Sequence, residues 1–429
     1  MKIYIDKNFI TDNSTECESG CCFLKTNANE RFVGDAKRKG AEVINAQQAK
    51  VLLGIDQNLR IIGITGTNGK TTTAALIAHA LNALSHKTAL AGTRGAFISN
   101  ERIDAKSLTT APILGTLGYL VSATKAKCEF LVMEVSSHAI AQNRIDGLDF
   151  ALKIFTNLSQ DHLDYHGTMD EYARVKNSFL TDESVKIINI DDKFVKFNPI
   201  NATTYSLHSA DFSPNSFNLD SGIMADIKTP NGIAVNLHSS LQGEFNLQNL
   251  LAAFAALWRL NIASDDKIAN ALKTFNGVEG RMQVVSNSPL VIVDFAHTPD
   301  GMEKILQALR HKKLVVVFGA GGDRDRTKRP KMGTIAQRYA RLAIVTSDNP
   351  RSEEPEAIID EICAGMKLNG SVLREADRTK AIKIGLENLQ GDEALVILGK
   401  GDEDYQEIKG VKHHFSDAEV VNEILKDKK

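Results

Sequence analysis

No apolar run in this sequence is long enough to cross a bilayer: the longest, Leu250 to Trp258, falls far short of the ~20 residues a spanning helix needs. The start, Met1-Lys2-Ile3-Tyr4-Ile5, has no signal-peptide pattern, so the expectation is a soluble cytoplasmic protein. An excess of either charge is also missing. Lys plus Arg number 51 against 53 Asp plus Glu, which leaves no overall field to draw the chain onto DNA, RNA or an anionic membrane. Any anion must be gripped locally. Cysteines are few, five in 429 residues, an odd count unlike the dense pairing of small secreted folds and in keeping with a reducing compartment. Cys17, Cys21 and Cys22 lie close together, but without C-x2-C spacing or a nearby histidine they read as ordinary thiols rather than zinc ligands.

What is present is a globular composition, 43% apolar and 24% charged, on a chain long enough for about three domains. Apolar β-branched runs alternate with helical stretches, which predicts an α/β fold with parallel sheets. Residues 1–57 read as a small N-terminal α/β lobe. A central domain over 58–280 contains the strand Arg60 to Thr65, a helix from Thr71 to Ser85, and buried strands Phe130 to Val135, Leu152 to Thr156 and Val185 to Ile190. Hairpins or insertions are expected from Asn198 to His238, then a buried helix around Leu250 to Leu260, and a hinge at Asn276 to Gly280. Over 281–429 the alternation restarts as a second doubly wound, Rossmann-like domain. Its expected strands are Leu290 to Phe295, Leu314 to Gly319, Leu342 to Asp348 and Ala394 to Gly399.

Between the first central strand and its helix stands Gly66-Thr67-Asn68-Gly69-Lys70-Thr71-Thr72, the context of a phosphate-binding loop. The glycines let backbone N–H groups converge on phosphate oxygens, Lys70 brings charge to the terminal phosphates, and the Thr71 hydroxyl can ligate magnesium. The strict Walker pattern fails by one residue, because Ile64 occupies the first glycine position. Glu134 is expected at the carboxyl end of a strand, where ligands of open parallel sheets collect, and a magnesium ion would relieve the cost of burying it. A polar cluster, Thr156 to His166, follows the next strand and includes His162.

The phosphate loop, Met133-Glu134-Val135-Ser136-Ser137-His138 and Asn157-Leu158-Ser159-Gln160-Asp161-His162-Leu163-Asp164-Tyr165-His166-Gly167 together resemble the Mur ligases, from about Leu59 to Asp417. Within them the likeness is greatest to the branch that adds the third peptide residue to UDP-N-acetylmuramoyl-L-alanyl-D-glutamate in cytoplasmic peptidoglycan precursor synthesis. In that family the shifted loop is normal. The resemblance implies a monomer acting on small molecules, with ATP and Mg2+, that makes an amide through an acyl phosphate. It makes Lys70, Glu134, His162 and Lys176 catalytic. Thr71, Glu134, His162 and Lys176 would hold metal, Lys176 as a CO2-derived carbamate; by spacing alone Lys176 reads as a solvated helix lysine. Asn249 would lie near adenine, and Arg281, Asp294 and His297 would supply further ATP contacts. The UDP-muramoyl substrate would meet Thr109, Thr110, Ser136, Gln142 and Arg144, with Ser14 at the uridine end in a shortened lobe where Asn13-Ser14-Thr15 replaces the family's Asp-Ser-Arg. Thr109 and Thr110 also read as a helix cap.

Gly319-Ala320-Gly321-Gly322-Asp323-Arg324 has Arg324 where a dinucleotide fingerprint needs glycine, so NAD is rejected. By resemblance Arg324 contacts the incoming amino acid, and Asp348-Asn349-Pro350-Arg351 has the form found in meso-diaminopimelate-adding enzymes, with Gly399 and Glu403 completing the pocket. A guanidinium can hold the second carboxylate of diaminopimelate through two hydrogen bonds. Lysine would leave Arg351 buried and unpaired, and sites of that kind reject the deficient analogue by as much as ~10^4–10^5. Asp402 stands where the family usually has histidine. The alternatives are a lysine-adding, other Mur-type or folylpolyglutamate-like ligase, a P-loop kinase or GTPase, and an inactive binding protein.

Overall fold

Ile61, Ile62 and Ile64 point to both faces of the strand Arg60–Thr65 and all are buried, as a parallel strand covered by helices on each side requires. In the computed structural model, which describes residues 1–5, 8–105, 108–220 and 222–427, this strand lies inside an eight-stranded sheet. The order is Ala202–Tyr205, Lys186–Asn189, Phe150–Phe155, Arg60–Thr65, Phe130–Glu134, Thr88–Gly92, Gly95–Ile98 and Glu101–Asp104. The first six strands run parallel, and the last two fold back antiparallel. Helices Lys70–Ala83 and Glu244–Arg259 cover one face, and Ile113–Lys125 covers the other.

The helix Glu244–Arg259 is apolar nearly all round because it is covered twice. The central sheet lies on one side. On the other lie the helix Asp265–Lys273 and a three-stranded antiparallel sheet, Ser213–Asn218, Ile223–Lys228 and Ala234–Ser239. The second and third of those strands alternate between buried and more exposed residues, so the expected hairpins form one small cap. The N-terminal sheet runs Lys2–Ile5, Asn8–Thr11, Cys22–Leu24, Glu42–Ile44. The C-terminal sheet runs Gln283–Asn287, Leu290–Asp294, Ala394–Leu398, Leu314–Phe318, Ala340–Val345, Val372–Arg374, parallel after its first pair.

Strands expected to reach Val135, Thr156, Phe295, Gly319 and Gly399 each stop one residue earlier. The chain leaves the sheet there to turn polar groups outward. Antiparallel strands at Gly95–Ile98 and Glu101–Asp104 and a hairpin at Tyr405–Ile408 and Val411–His414 were not expected; their short polar segments carry little period-2 signal.

The last helix, Asp417–Asp427, is fastened by a fully buried pair: Arg378 Nε and Nη2 donate to the Asp417 carboxylate at 2.7 and 2.8 Å. Arg378 also donates to the carbonyls of Ser347 and Leu398 at 3.2 and 3.0 Å, so it holds two strand ends. Removing one partner strands a buried charge. Asp417→Ala should therefore lower the unfolding free energy by about 3–5 kcal/mol in urea titrations; a loss under about 1 kcal/mol would mean the helix is fastened elsewhere.

Candidate active site

Residues that follow directly on strand ends of both large sheets line one cleft of about 680 Å³. Its central-sheet wall begins with the loop 66–69. Gly66 and Gly69 have φ of 147° and 84°, and side chains at either would strike Thr156 Oγ1 or Asn249 Oδ1. The segment after Phe150–Phe155 clamps the loop: Thr67 N donates to Asn157 O at 2.8 Å, Asn68 N to Asn157 Oδ1 at 3.0 Å, and Thr156 Oγ1 to Asn68 O at 2.7 Å. Thr71 and Thr72 open the helix Lys70–Ala83 and face the cleft.

Lys70 Nζ lies back on its own loop, 2.8 Å from the carbonyl oxygens of both Gly66 and Thr67. Lys176, on the helix Met169–Ser178, reaches the same Gly66 oxygen from below at 2.8 Å. Burial pushes the Lys70 ammonium down, against the pull of Glu134 and Asp161. Lys176 is 1% exposed; burial first, then the Lys70 charge, push it well below a normal lysine.

Glu134 ends the strand Phe130–Glu134 and is buried. Its carboxylate accepts from Thr71 Oγ1 at 3.1 Å, Thr93 N at 2.9 Å and Thr93 Oγ1 at 3.2 Å. His162 sits at a left-handed position (φ 54°) beside Asp161, 3.4 Å from its carboxylate, and packs edge-on against His138. Burial, then His138 and Lys70, hold its imidazole down at about 3 despite Asp161, so the ring is neutral, as a metal ligand must be. Burial alone would raise Asp161, but the Lys328 charge and the His162 amide, which donates to it at 3.0 Å, hold it below its usual range. Among the described residues no three His, Cys, Asp or Glu side chains stand as a preformed metal cage. The donors that do meet, Glu134 with Thr71, suit magnesium, which takes one or two carboxylates and completes its shell with phosphates and water.

Asn249 lies behind Gly69, accepting from Thr73 Oγ1 at 3.2 Å and donating to Asn246 Oδ1 at 3.0 Å. Across the cleft, Arg281 stacks on Phe295, 4.2 Å from the ring centroid. Asp294 accepts from the amides of Met282 and Ala296, both at 2.7 Å; burial raises its carboxyl while Arg281 opposes. His297 Nδ1 lies 2.9 Å from Phe295 O.

Thr110 accepts from Ser136 N at 2.9 Å and donates to Glu134 O at 2.9 Å, and Thr109 meets Thr93 at 3.2 Å. Arg144 donates to Thr110 O at 3.0 Å and, through Nε at 2.9 Å, to Gln142 Oε1. Ser14 is a correction: the structure brings it to neither cavity. It is 5% exposed inside the N-terminal lobe, where its side chain bonds Asp35 and its carbonyl accepts from Lys39 at 2.8 Å. A second cavity of about 550 Å³ lies between that lobe and the central sheet, and Thr26, Asn27, Asn45, Gln47, Ile113 and Asn143 are among its walls. Of its walls, Ile113 lies three residues after Thr110 and Asn143 directly precedes Arg144.

At the far end of the cleft, Asp348 Oδ1 accepts from Asn349 N at 2.7 Å, while Oδ2 is buried against Gly399 with no hydrogen-bond partner among the described residues. Asn349 donates to Glu403 at 2.8 Å and accepts from Lys400 at 3.1 Å. Burial works against both carboxylates; Lys400 and Arg378 hold Asp348 below its usual range, whereas the Asp348 charge pushes Glu403 higher. Pro350 packs its carbonyl against Gly322. Arg324 is exposed on the cleft wall. Arg351, which the sequence reading leaves buried and unpaired when lysine is bound, has partners of its own in the pocket. Its side chain is 22% exposed, Nη1 donates to Gly322 O at 2.7 Å, and Nε lies 3.5 Å from Glu407.

Several residues in this geometry carried no motif signal. Thr93 holds Glu134. Asp300 Oδ2 accepts from Asn68 at 2.7 Å and Ser159 at 3.0 Å and pairs with Lys304 at 3.1 Å, tying the C-terminal sheet's first helix to the phosphate loop. In sequence Asp300 is only an acid in the first turn of a helix, a common stabilising placement.

Residues 64–257 match the family model of the Mur ligase middle domain, and residues 280–401 that of the Mur ligase, glutamate ligase domain. The chain is 46% identical to a UDP-N-acetylmuramoyl-L-alanyl-D-glutamate--2,6-diaminopimelate ligase of Helicobacter pylori over 97% of its length and 95% of the relative's. It resembles the solved structure of a ligase of the same description with a TM-score of 0.69 and 33% identity, covering 98% of this chain and 94% of that one. A Mycobacterium tuberculosis folylpolyglutamate synthase complexed with ADP and AMPPCP shares the fold, with a TM-score of 0.67 over 82% of this chain and 91% of that one, at 17% identity.

Gly66→Ala should weaken binding of a non-hydrolysable ATP analogue by at least about tenfold in calorimetric titration, because it combines backbone strain of about 1–3 kcal/mol with the clash at Thr156. Unchanged affinity would mean that the loop does not cradle phosphate.

Proposed function

The chain belongs to the Mur ligase family, and from that premise we propose that it joins meso-2,6-diaminopimelate to the D-Glu γ-carboxylate of UDP-N-acetylmuramoyl-L-alanyl-D-glutamate, with ATP cleaved to ADP and phosphate. This step belongs to peptidoglycan precursor synthesis. The observation that carries the reading is the single cleft in which the loop 66–72 and Glu134 face the segment Asp348 to Arg351. No helix among the described residues is long and apolar enough to cross a membrane.

The three lobes divide the labour, with residues 1–57 toward the UDP end, 58–280 holding ATP and the reacting centre, and 281–429 holding the amino acid. A γ-carboxylate oxygen attacks the γ-phosphorus of ATP, ADP leaves, and an acyl phosphate forms. The neutral amine of diaminopimelate then attacks the acyl carbon, phosphate leaves, and the nitrogen loses a proton. Two anions must approach, so the barrier falls only if fixed cations meet the developing charge. Lys70 supplies one by leaving the carbonyls of Gly66 and Thr67 for the phosphates. Thr71, Glu134 and His162 are the residues that would hold magnesium, which neutralises phosphate charge when bound. Arg281, Asp294 and His297 close over the nucleotide with Asn249 beneath. Bonds from Asn68 and Ser159 to Asp300, and from Lys331 to Gln160 at 2.7 Å, join the two walls and favour exclusion of water from the acyl phosphate.

Lys176 is proposed as the site of a carbamate. A neutral amine reacts with CO2, and burial beside Lys70 favours that form. The modified side chain would offer anionic oxygens beside the phosphate loop. Thr109, Thr110, Ser136, Gln142 and Arg144 hold the muramoyl peptide, and the second cavity, rather than Ser14, takes the uridine end. In the amino-acid pocket Asp348 and Glu403 receive an ammonium group, Arg351 receives the distal carboxylate, and Arg324 guards the mouth.

Phosphate release is expected with diaminopimelate in far greater yield than with lysine or D-alanyl-D-alanine, and a phosphorylated product without a new amide would point to a kinase instead. Arg351→Ala should raise the diaminopimelate KM by about 10- to 100-fold while leaving that for ATP nearly unchanged; equal effects would contradict the pocket. Lys176→Ala should lose most activity and regain part of it with a small carboxylic acid such as formate. Full activity in that variant would exclude the carbamate.

A further inference from the structure

The hairpin Tyr405–Ile408 and Val411–His414 grips Arg351 by its backbone. Arg351 N donates to Glu407 O at 3.0 Å, and Lys409 N donates to Arg351 O at 2.7 Å. Arg351 holds a left-handed conformation, φ 53°, which turns its side chain back along Gly321 and Gly322. A Cβ on Gly321 would lie 2.9 Å from Nη1. The guanidinium is therefore fixed at both ends, and its donors divide unequally. Nη1 is bound to Gly322 O at 2.7 Å. Nε faces Glu407 Oε2 at 3.5 Å, too far for a good hydrogen bond but close enough for charge to act. Nη2 has no partner among the described residues.

Glu407 thus gives Arg351 an anion without binding it tightly. The pair is only partly buried, at 22% and 26% exposure. A ligand carboxylate that takes Nη2 bidentately must share either Nε with Glu407 or Nη1 with Gly322 O. An amino acid without that carboxylate leaves the guanidinium facing a bare ammonium, and the charge of Glu407 then compensates.

Resting on the reading of this pocket given above, we propose that Glu407 is a positioning residue that sets amino-acid preference through Arg351. It stabilises Arg351 when no ligand carboxylate is present and competes with that carboxylate when it is. It therefore moderates the discrimination between diaminopimelate and lysine.

The test is Glu407→Gln, which keeps size and backbone pairing and removes the charge, assayed in the full-length enzyme by phosphate release at saturating ATP and UDP-muramoyl dipeptide. The KM for diaminopimelate should fall and that for lysine should rise, each by about fivefold, the scale of one partly exposed ion pair. The kcat with diaminopimelate and the KM for ATP should hold, and Glu407→Asp, which keeps the charge, should stay near the parent preference. A structural role would move both amino acids in the same direction, so a parallel loss overturns the proposal, as does an unchanged pair of KM values. Where lysine turnover is too slow to measure, the diaminopimelate KM decides alone: a fall supports the proposal, and no change or a rise overturns it. Failure of the parent enzyme to use diaminopimelate at all would instead overturn the pocket reading beneath it.

Discussion

Two buried ammonium groups share one carbonyl oxygen. Lys70 and Lys176 both end 2.8 Å from Gly66 O, in a place where burial disfavours both charges and the Lys70 charge further disfavours that of Lys176. Such an arrangement persists because the surrounding chain fixes it. The Gly66 carbonyl is aimed by a backbone only glycine tolerates, and the loop is clamped by Thr156 and Asn157. The helix bearing Lys176 is held by Tyr172, whose hydroxyl meets Thr67 Oγ1 at 3.0 Å. A cradle of excess positive charge suits phosphate on one side, and on the other the carbamate proposed for Lys176 would turn the inner lysine into an anion. Both demands come from the same carbonyl.

What the sequence made legible follows from range. The phosphate loop is contiguous, lies between a strand and a helix, and needs no distant partner to be recognised. Glu134 was placed correctly at a strand end because parallel strands run apolar until they stop. Lys176 was ambiguous by spacing, since its burial is created by the loop lying over it. Ser14 was misplaced for a similar reason: a short turn of polar residues gives no sign of which side faces the lobe's interior, and here Asp35 and Lys39 draw it inward. Asp300 and Thr93 were invisible because acids and hydroxyls in first turns and hairpins serve ordinary local purposes far more often. Arg351 stands in a legible motif, but its partner lies on a hairpin whose four-residue strands left no periodic trace.

The pocket proposed for the amino acid stands on buried arginines that never reach the cleft. Arg329 donates to Gly321 O at 3.1 Å while Glu353 and Glu361 neutralise it at 2.8 Å. Arg378, neutralised by Asp417, holds the carbonyls of Ser347 and Leu398. Each guanidinium thus fixes a backbone carbonyl at or just beyond a strand end, where the chain leads into the cleft. Buried pairs of this kind contribute little net stability against an apolar replacement. They do fix the direction in which the backbone leaves the sheet, and that direction sets where Arg351, Asp348 and Glu403 point.

Asp402, which departs from the family's usual histidine, acquires a physical role from the same logic. Its carboxylate lies 3.6 Å from Arg94 Nε, and Arg94 Nη2 donates to Glu279 at 2.9 Å. Arg94 directly follows Thr93, which holds Glu134; Asp402 directly precedes Glu403, which faces the amino acid. One ion pair therefore joins the carboxylate proposed for magnesium to the carboxylate proposed for the incoming amine, across the boundary between the two sheets. A neutral histidine would give Arg94 no opposing charge at that point. With aspartate there, drawing the two walls together brings opposite charges into contact, so the electrostatics of the cleft favour the closed arrangement in which an acyl phosphate is shielded from water.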